Sequence, residues 1–140
     1  MDLQTALDWA AGRHDGVLIT LRADGRPQSS DISYAYADGV FRISVTADRA
    51  KTRNLARDPR AVLHVTDRAQ WAYVSIDGIA ELTAVTAAAG DEVGLELLAV
   101  HDAIRPTPHP DPDEYFAAMV EDRRLVVRFR PTSAAGLVHR

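Results

Sequence analysis

The segment from residue 16 to residue 45 contains three runs of strand-forming residues separated by turn signals, and this pattern constrains the fold most. Gly16–Leu21 (GVLITL) is a short β-branched run, and after a polar turn a second run covers residues 28–36. Asp38-Gly39 is a strong signal for a two-residue hairpin turn and leads directly into a third run, Val40–Val45. The three runs predict an antiparallel meander.

Three more strands and four helices are predicted along the rest of the chain. The strands cover residues 61–66, 71–83 and 124–130, the helices cover 2–12, 49–58, 85–101 and 113–121, and a proline-rich loop covers 105–112. Hairpin connections between most of the six strands indicate a closed or nearly closed antiparallel barrel with peripheral helices. The fold class is therefore expected to be mainly β, in one domain that covers residues 1–140.

Composition and charge exclude several classes of function. The net charge of -4 and the pI near 5.7 argue against general nucleic-acid binding. No apolar run approaches the roughly 20 residues of a membrane span, and no basic, apolar leader is visible, so we expect a cytoplasmic protein without a membrane partner. Cysteine is absent and the five histidines lack metal-ligand spacing, so we expect neither disulfides nor a metal site.

Residues 49–60 (RAKTRNLARDPR) are a basic segment that contrasts with the acidic remainder of the chain. If the segment is helical, with Asp48 as N-cap, Arg49, Arg53 and Arg57 lie along one ridge and repel one another by about 0.2–0.5 kcal/mol per pair. One interpretation is a solvated basic helix. The other is an anion site, because a helix that begins directly after a strand offers free N–H groups to a phosphate. Ser44, Thr46, Arg49 and Lys51 would surround that phosphate.

Two aromatic residues and two histidines allow more than one interpretation. Trp71 and Tyr73 lie two apart in a predicted strand, so both project from one face. They could stack on a planar ligand, or they could fill the barrel interior or a dimer interface. His101 and His109 flank the proline-rich loop and could meet in space.

Five segments carry a resemblance that covers nearly the whole chain. They are DGRPQSS (24–30), RAKTRNLARDPR (49–60), WAYVSIDGIAEL (71–82), YFAAMVEDRRLVVRF (115–129) and the ending GLVHR (136–140). Together they resemble the flavin/deazaflavin oxidoreductases of the pyridoxamine 5'-phosphate oxidase-like split-barrel superfamily, in particular the short mycobacterial-type branch that binds coenzyme F420. The resemblance implies a homodimer of split β-barrels with two cofactor sites in the grooves between the subunits.

The resemblance also implies a role for the strand-to-helix segment, which holds the cofactor phosphate in such proteins. The residues expected to contact the phosphate and tail, or to lie beside them, are Arg49, Lys51, Asn54, Ser44, Val45 and Thr46.

At the ring of the cofactor, the resemblance implies residues from the other subunit. Gln28 and Ser30 are expected to reach the ring, and Trp71 and Tyr73 are expected to line the pocket. Asp31 stands where relatives carry Asn, so an extra negative charge near the ring is expected. The C-terminal arginine pattern of true pyridoxamine phosphate oxidases is not evident in GLVHR, so that activity is not expected.

The function implied is hydride transfer from reduced coenzyme F420 to an electron-poor, conjugated small-molecule acceptor. The alternatives are an FMN-dependent oxidase or reductase of the same fold, since FMN also offers a phosphate, and an F420-binding protein without turnover. No catalytic residue is assigned: the proton donor is either solvent or Tyr73. The loop 105–112 either shapes the acceptor side of the site or is a surface connection.

Overall fold

A computed structural model describes residues 1–139, which form an antiparallel seven-stranded sheet curled into a half-barrel, with four α-helices and one 3₁₀ turn around it. The strands are β1 Asp15–Leu21, β2 Pro27–Ser33, β3 Ala35–Ala37, β4 Val40–Thr46, β5 Arg60–Asp67, β6 Ala72–Leu82 and β7 Arg124–Leu137. The helices are α1 Leu3–Ala11, α2 Ala50–Arg57, α3 Glu92–Ile104 and α4 Pro112–Glu121. Arg140, the last residue of the GLVHR ending, lies outside the described residues. None of the helices in residues 1–139 is long and apolar enough to cross a membrane.

The prediction of six strands was wrong, because the run 28–36 divides at Tyr34 into β2 and β3. Tyr34 is fully buried, its hydroxyl donates to the Ala10 carbonyl at 2.6 Å, and its backbone N–H donates to the His14 carbonyl at 2.7 Å. These bonds hold the chain where it leaves its pairing with β1 and starts to pair with β4. The strand order is β2-β1-β5-β6-β7-β4-β3, so the two halves of the predicted strand lie at opposite ends of the sheet.

Strand β7 is longer than the predicted 124–130 and pairs along its length with two partners. Its first half pairs with β4 from Thr46↔Arg124 to Phe41↔Phe129, and its residues from Val127 to Leu137 pair with β6. A bulge interrupts the second pairing at Asp77/Gly78. At Gly78 a Cβ atom would lie 2.5 Å from the Phe129 ring, so only glycine fits at this crossing.

The main core fills the concave side of the sheet. Fully buried side chains from five strands meet there, among them Leu18, Phe41, Leu63, Ile76 and Phe129. Helix α1 closes one side with an apolar stripe of Ala6, Leu7 and Ala10. Asp2 caps α1 by accepting a hydrogen bond from the Thr5 N–H at 3.1 Å.

Helices α3 and α4 form a second layer on the outer side of β4 and β7. Leu97, Tyr115 and Val126 build a small separate core between them and the sheet. Helix α3 was predicted to start at residue 85 but starts at Glu92, because Gly90 has a left-handed φ of 79° and Asp91 caps the helix by accepting from the Gly94 N–H at 2.8 Å. Its Glu96 carboxylate then bonds arginines of both strands, which fixes α3 on the sheet.

Candidate functional site

A cleft of about 390 Å³ opens where the ends of β2, β4 and β7 meet the start of α2. Its lining residues come from these four elements and are Asp31, Ile32, Ser33, Ser44, Val45, Thr46, Arg49, Lys51 and Arg124. The structure therefore brings together five of the ten predicted site residues: Ser44, Val45, Thr46, Arg49 and Lys51.

The turn between β4 and α2 sets the positions of the two cations in the cleft. The Arg49 N–H donates to the Thr46 carbonyl at 3.3 Å, and the Thr52 hydroxyl donates to the same carbonyl at 2.8 Å. Arg49, not Asp48 as predicted, is the N-cap residue, and its side chain makes no capping bond. Its side chain, with that of Lys51, therefore lines the cleft beside the first turn of α2.

The five cations of the basic segment divide into two groups. Three of them serve local structure: Arg53 donates to the Asp48 carbonyl, Arg57 to the Leu21 carbonyl, and Arg60 to the Asp58 carboxylate. Among the described residues, the side chains of Arg49 and Lys51 have no hydrogen-bond or ion-pair partner. The basic segment is thus in part an ordinary solvated helix, and its first two cations are available to an anion.

The electrostatics of the cleft favour a negative ligand. Partial burial is the main cause that lowers the pKa of Lys51 from its usual value of 10.5, and repulsion from Arg49 and Arg124 lowers it further. A lowered pKa means that the folded protein disfavours this positive charge. A bound phosphate would offset both causes, because it pairs with the ammonium group and screens the guanidinium groups around it.

Arg124 is a third cation in the cleft, and sequence reasoning missed it because β7 approaches β4 only in the folded chain. Its Nη1 lies 3.4 Å from Ser44 Oγ, and its buried Nε has no hydrogen-bond partner, with the Asp122 carboxylate 3.8 Å away. Within residues 1–139, the other buried side-chain polar atom without a partner is Thr46 Oγ1, in the same cleft. Buried polar groups are nearly always hydrogen-bonded, so two orphans in one cationic cleft fit a missing anionic ligand.

Asn54 and Gln28 lie beside this cleft and not in its lining. The buried Asn54 amide donates to Thr20 Oγ1 at 3.0 Å and to Gln28 Oε1 at 3.3 Å, and its carbonyl oxygen accepts from Arg57 at 2.9 Å. These bonds fasten α2 to β1 and β2. The predicted contact of Asn54 with a phosphate or tail stays a prediction. In this structure the Asn54 side chain holds α2 against β1 and β2.

Strand β2 approaches the cleft within the same chain, through Asp31, Ile32 and Ser33. The resemblance implied that Gln28 and Ser30 reach the ring from the other subunit. Ser30 points to the same side of β2 as Gln28, because the two alternate with exposed residues, and neither lines the cleft. Asp31, from which an extra negative charge near the ring was expected, does line the cleft.

Trp71 and Tyr73 lie elsewhere, on the outer side of the sheet. A 3₁₀ turn at Arg68–Gln70 ends at Trp71 in a left-handed conformation (φ 51°), so β6 starts one residue later than predicted and the two rings do not share a strand face. Trp71 is 74% exposed and Tyr73 is 42% exposed. Within one chain they line a shallow groove with Leu137, away from the cationic cleft.

A second cavity of about 620 Å³ adjoins the cleft and shares Ser33, Ser44 and Arg124 with it. Helices α3 and α4 form its far wall. The expected meeting of His101 and His109 is confirmed, with their ring centroids 5.2 Å apart beside this cavity. In residues 1–139, no group of three or more His, Cys, Asp or Glu side chains is arranged to hold a metal ion.

Comparison with known proteins agrees with this architecture. The sequence model of the family described as pyridoxamine 5'-phosphate oxidase matches residues 5–132. An F420 reductase is 25% identical, with a TM-score of 0.67 over 91% of this chain and 94% of that one. A conserved hypothetical protein from Mycobacterium tuberculosis is also 25% identical, with a TM-score of 0.77 over 100% and 86% of the two chains. A FAD-binding protein from Mesorhizobium loti shares the fold at 18% identity, with a TM-score of 0.69 over 97% and 92%.

Proposed function

The chain belongs to the pyridoxamine 5'-phosphate oxidase family, and from that premise we propose that it is an oxidoreductase that binds coenzyme F420 in the cationic cleft. It transfers a hydride from the reduced deazaflavin to an electron-poor, conjugated small molecule. One observation carries the proposal: Arg49 and Lys51, two cations without a partner among the described residues, lie in one cleft with two buried atoms that lack a hydrogen-bond partner, Thr46 Oγ1 and Arg124 Nε.

The residues of the cleft fit a cofactor phosphate. Arg49 and Arg124 can bind phosphate oxygens through guanidinium forks, Lys51 adds a compact charge, and Thr46 offers a hydroxyl. A bound deazaflavin or flavin supplies the hydride chemistry itself. The chain's own part is to fix the phosphate end, to place the ring along β2, and to keep water from the reacting face.

Coenzyme F420 is preferred over FMN because a relative named as an F420 reductase matches nearly the whole chain. FMN remains the second candidate, since its phosphate suits the same three cations. The test is titration of the apo protein with F420 and, separately, with FMN, followed by quenching of Trp9 and Trp71 fluorescence. Micromolar saturation by F420 with little response to FMN supports the proposal, and a preference for FMN moves the protein to the flavin branch of the same fold.

The titration is followed by a turnover assay, because binding alone does not make an enzyme. Reduced F420 is mixed with quinones, enones and nitro compounds, and its oxidation is followed by absorbance. Oxidation that depends on both protein and acceptor supports the reductase. Tight binding without any acceptor reduction would instead favour a protein that binds F420 without turnover.

A second copy of the chain is proposed to cover the outer face of β6 and β7. Large exposed apolar side chains concentrate there, since Trp71, Tyr73, Ile79 and Leu137 lie on or next to these two strands. Tyr73 and Ile79 project from the same side of β6, and Leu137 pairs directly with Tyr73. Exposed apolar side chains gathered on one face of a sheet are typical of a protein interface, and on this face Ser75 and Asp77 lie between Tyr73 and Ile79. A homodimer would also bring Trp71 and Tyr73 of each protomer towards the partner's cleft.

Sedimentation velocity tests the homodimer. Wild-type protein is expected to sediment as a dimer, and Ile79→Glu is expected to sediment as a monomer because it places a charge on the proposed contact face. Leu95→Glu is the matched control: Leu95 is 56% exposed but lies on α3, and this variant is expected to remain dimeric. A monomeric wild type would refute the dimer without touching the cofactor assignment.

A further inference from the structure

The second cavity has the size and the two-sided lining of a small-molecule pocket. Its volume of about 620 Å³ lies within the range of roughly 300–1,000 Å³ found for ligand pockets. Apolar side chains from α3, the loop that follows it and α4 form one part of the lining: Val100, Ile104, Pro106 and Met119. Polar groups form the rest, and the cavity opens into the cationic cleft at Ser33 and Ser44.

His101, in the last turn of α3, is held in one orientation at the wall of this cavity. Its Nδ1 lies 3.1 Å from Asp102 Oδ1, and the His109 backbone N–H donates to the same oxygen at 2.9 Å. The hydrogen bond from the His109 N–H is the main cause that lowers the pKa of Asp102, and the bond with His101 adds to it. The carboxylate is therefore charged. A charged acceptor fixes the proton on Nδ1 and leaves Nε2 as the nitrogen available to a ligand.

The neighbouring titratable groups are less suited to give a proton to a ligand in the cavity. The Tyr115 hydroxyl donates to the Leu97 carbonyl at 3.0 Å, and burial raises the pKa of Tyr115. His109 Nδ1 accepts from the Asp111 N–H at 3.0 Å, and His109 is not part of the lining. His14 lines the cavity, but its Nδ1 faces the Tyr34 carbonyl, which stabilises a positive imidazole less than a carboxylate does. Asp15, Arg105 and Arg124 are the other charged groups in the lining.

Resting on the proposed function, we propose that this cavity holds the hydride acceptor and that His101, oriented by Asp102, is the catalytic residue that protonates it. The acceptor is a planar, largely apolar molecule with a conjugated carbonyl group, and its oxygen faces His101 Nε2. The β-carbon of the acceptor receives a hydride from the reduced deazaflavin, which is oxidised by two electrons. The C=C electron pair shifts towards the carbonyl oxygen, and that oxygen takes the proton from the His101 imidazolium. The resulting enol relaxes to the saturated ketone, and water returns a proton to His101.

The first test needs neither cofactor nor turnover. 4-Nitrophenol is titrated into the apo protein, since its ring and oxygen resemble the acceptor and its absorbance reports binding. His101→Gln is expected to weaken binding about tenfold or more, because a hydrogen bond to a charged partner is lost, corresponding to about 1.5–3 kcal/mol. His109→Gln is the matched control and is expected to bind like wild type, because His109 is not part of the lining. Equal affinity in His101→Gln and wild type, or no binding to wild type, would overturn the proposal.

The second test separates this inference from the proposed function. With reduced F420 and cyclohex-2-enone, His101→Gln is expected to lower kcat about 100-fold or more, the usual contribution of a positioned proton donor, while His109→Gln is expected to keep the wild-type kcat. F420 affinity, measured in parallel, is expected to be unchanged in His101→Gln. A wild type that does not bind F420 would refute the proposed function. A His101→Gln variant with normal F420 affinity and a wild-type kcat would refute only the role of His101.

Discussion

Replacing Lys51 with methionine should weaken cofactor binding while leaving the apo protein as stable as before or slightly more stable. The Lys51 ammonium group is partly buried, is repelled by Arg49 and Arg124, and has no partner among the described residues. Methionine keeps an unbranched stem and removes the charge. The variant therefore separates the electrostatic role of Lys51 from its packing.

The expected changes in the Kd for F420 and in the free energy of unfolding both follow from the position of Lys51 in the cleft. A charge-assisted hydrogen bond to a phosphate is worth about 1.5–3 kcal/mol, so the Kd for F420 should rise about 10- to 100-fold. In the apo protein, by contrast, removing the Lys51 charge is expected to raise the free energy of unfolding. A lysine whose pKa is lowered on folding holds its proton less well in the folded state, so it costs stability below its unfolded pKa of 10.5, and the cost disappears above that pH. At neutral pH the gain in the free energy of unfolding should stay below about 1 kcal/mol, because solvent screens the group.

The assays are fluorescence titration with F420 and urea unfolding of the apo protein. Arg53→Met is the matched control, because Arg53 belongs to the same helix but donates to the Asp48 carbonyl. The control should bind F420 as wild type does. The reasoning is refuted if Lys51→Met keeps the wild-type Kd, if Arg53→Met loses as much affinity, or if removing the Lys51 charge clearly destabilises the apo protein.

Three further predictions concern the supports of the site. Asn54→Ala should lower the free energy of unfolding by about 2 kcal/mol in urea titrations, because it leaves the buried Thr20 hydroxyl without its partner. Gly78→Ala should lower the free energy of unfolding by about 1–3 kcal/mol or more, because the new methyl group meets the Phe129 ring. A Tm equal to that of wild type would contradict this close contact. Bonding to Arg128 and Arg42 lowers the pKa of Glu96, so its stabilisation is present above the unfolded pKa of 4.5 and is lost as the pH falls below it. Glu96→Gln should flatten this acid branch of a plot of urea midpoint against pH.

The elements that depend on local chemistry could be predicted from the sequence. The Asp38-Gly39 hairpin is confirmed, with φ values of 54° and 78° that belong to a turn of left-handed residues. β4 and the start of the basic helix follow from alternation and from the change of period after Val45. Here the neighbouring residues alone decide the conformation, so a sequence pattern suffices.

The elements that depend on distant partners could not be predicted. Nothing in the run 28–36 shows that its partner changes at Tyr34, because that change depends on bonds to α1 and to the loop before β1. The polar residues 67–70 predict the turn between β5 and β6, but they do not show that Trp71 ends this turn in a left-handed conformation.

The site was predicted in part for the same reason. Arg49 and Lys51 are close in sequence to the strand end that they join, so the cationic cleft follows from the order of elements. The separation of these two cations from Arg53, Arg57 and Arg60 depends on which carbonyls and carboxylates the folded chain offers each arginine. Arg124 reaches the site from a strand that no local pattern links to Ser44.

The place of β7 in the sheet also bears on the order in which the chain acquires its structure. Within residues 1–139, β3 and β4 are joined to the other strands through β7, and Arg124 lies 80 positions after Ser44. An isolated two-stranded hairpin is at best marginally stable in water, so β3 and β4 must wait for the late synthesis of β7 before they are secured. Closing contacts over such separations is slow, and the open edge of β4 can meanwhile pair with other chains. We therefore expect β3 and β4 to stay open to such pairing until β7 has been synthesised.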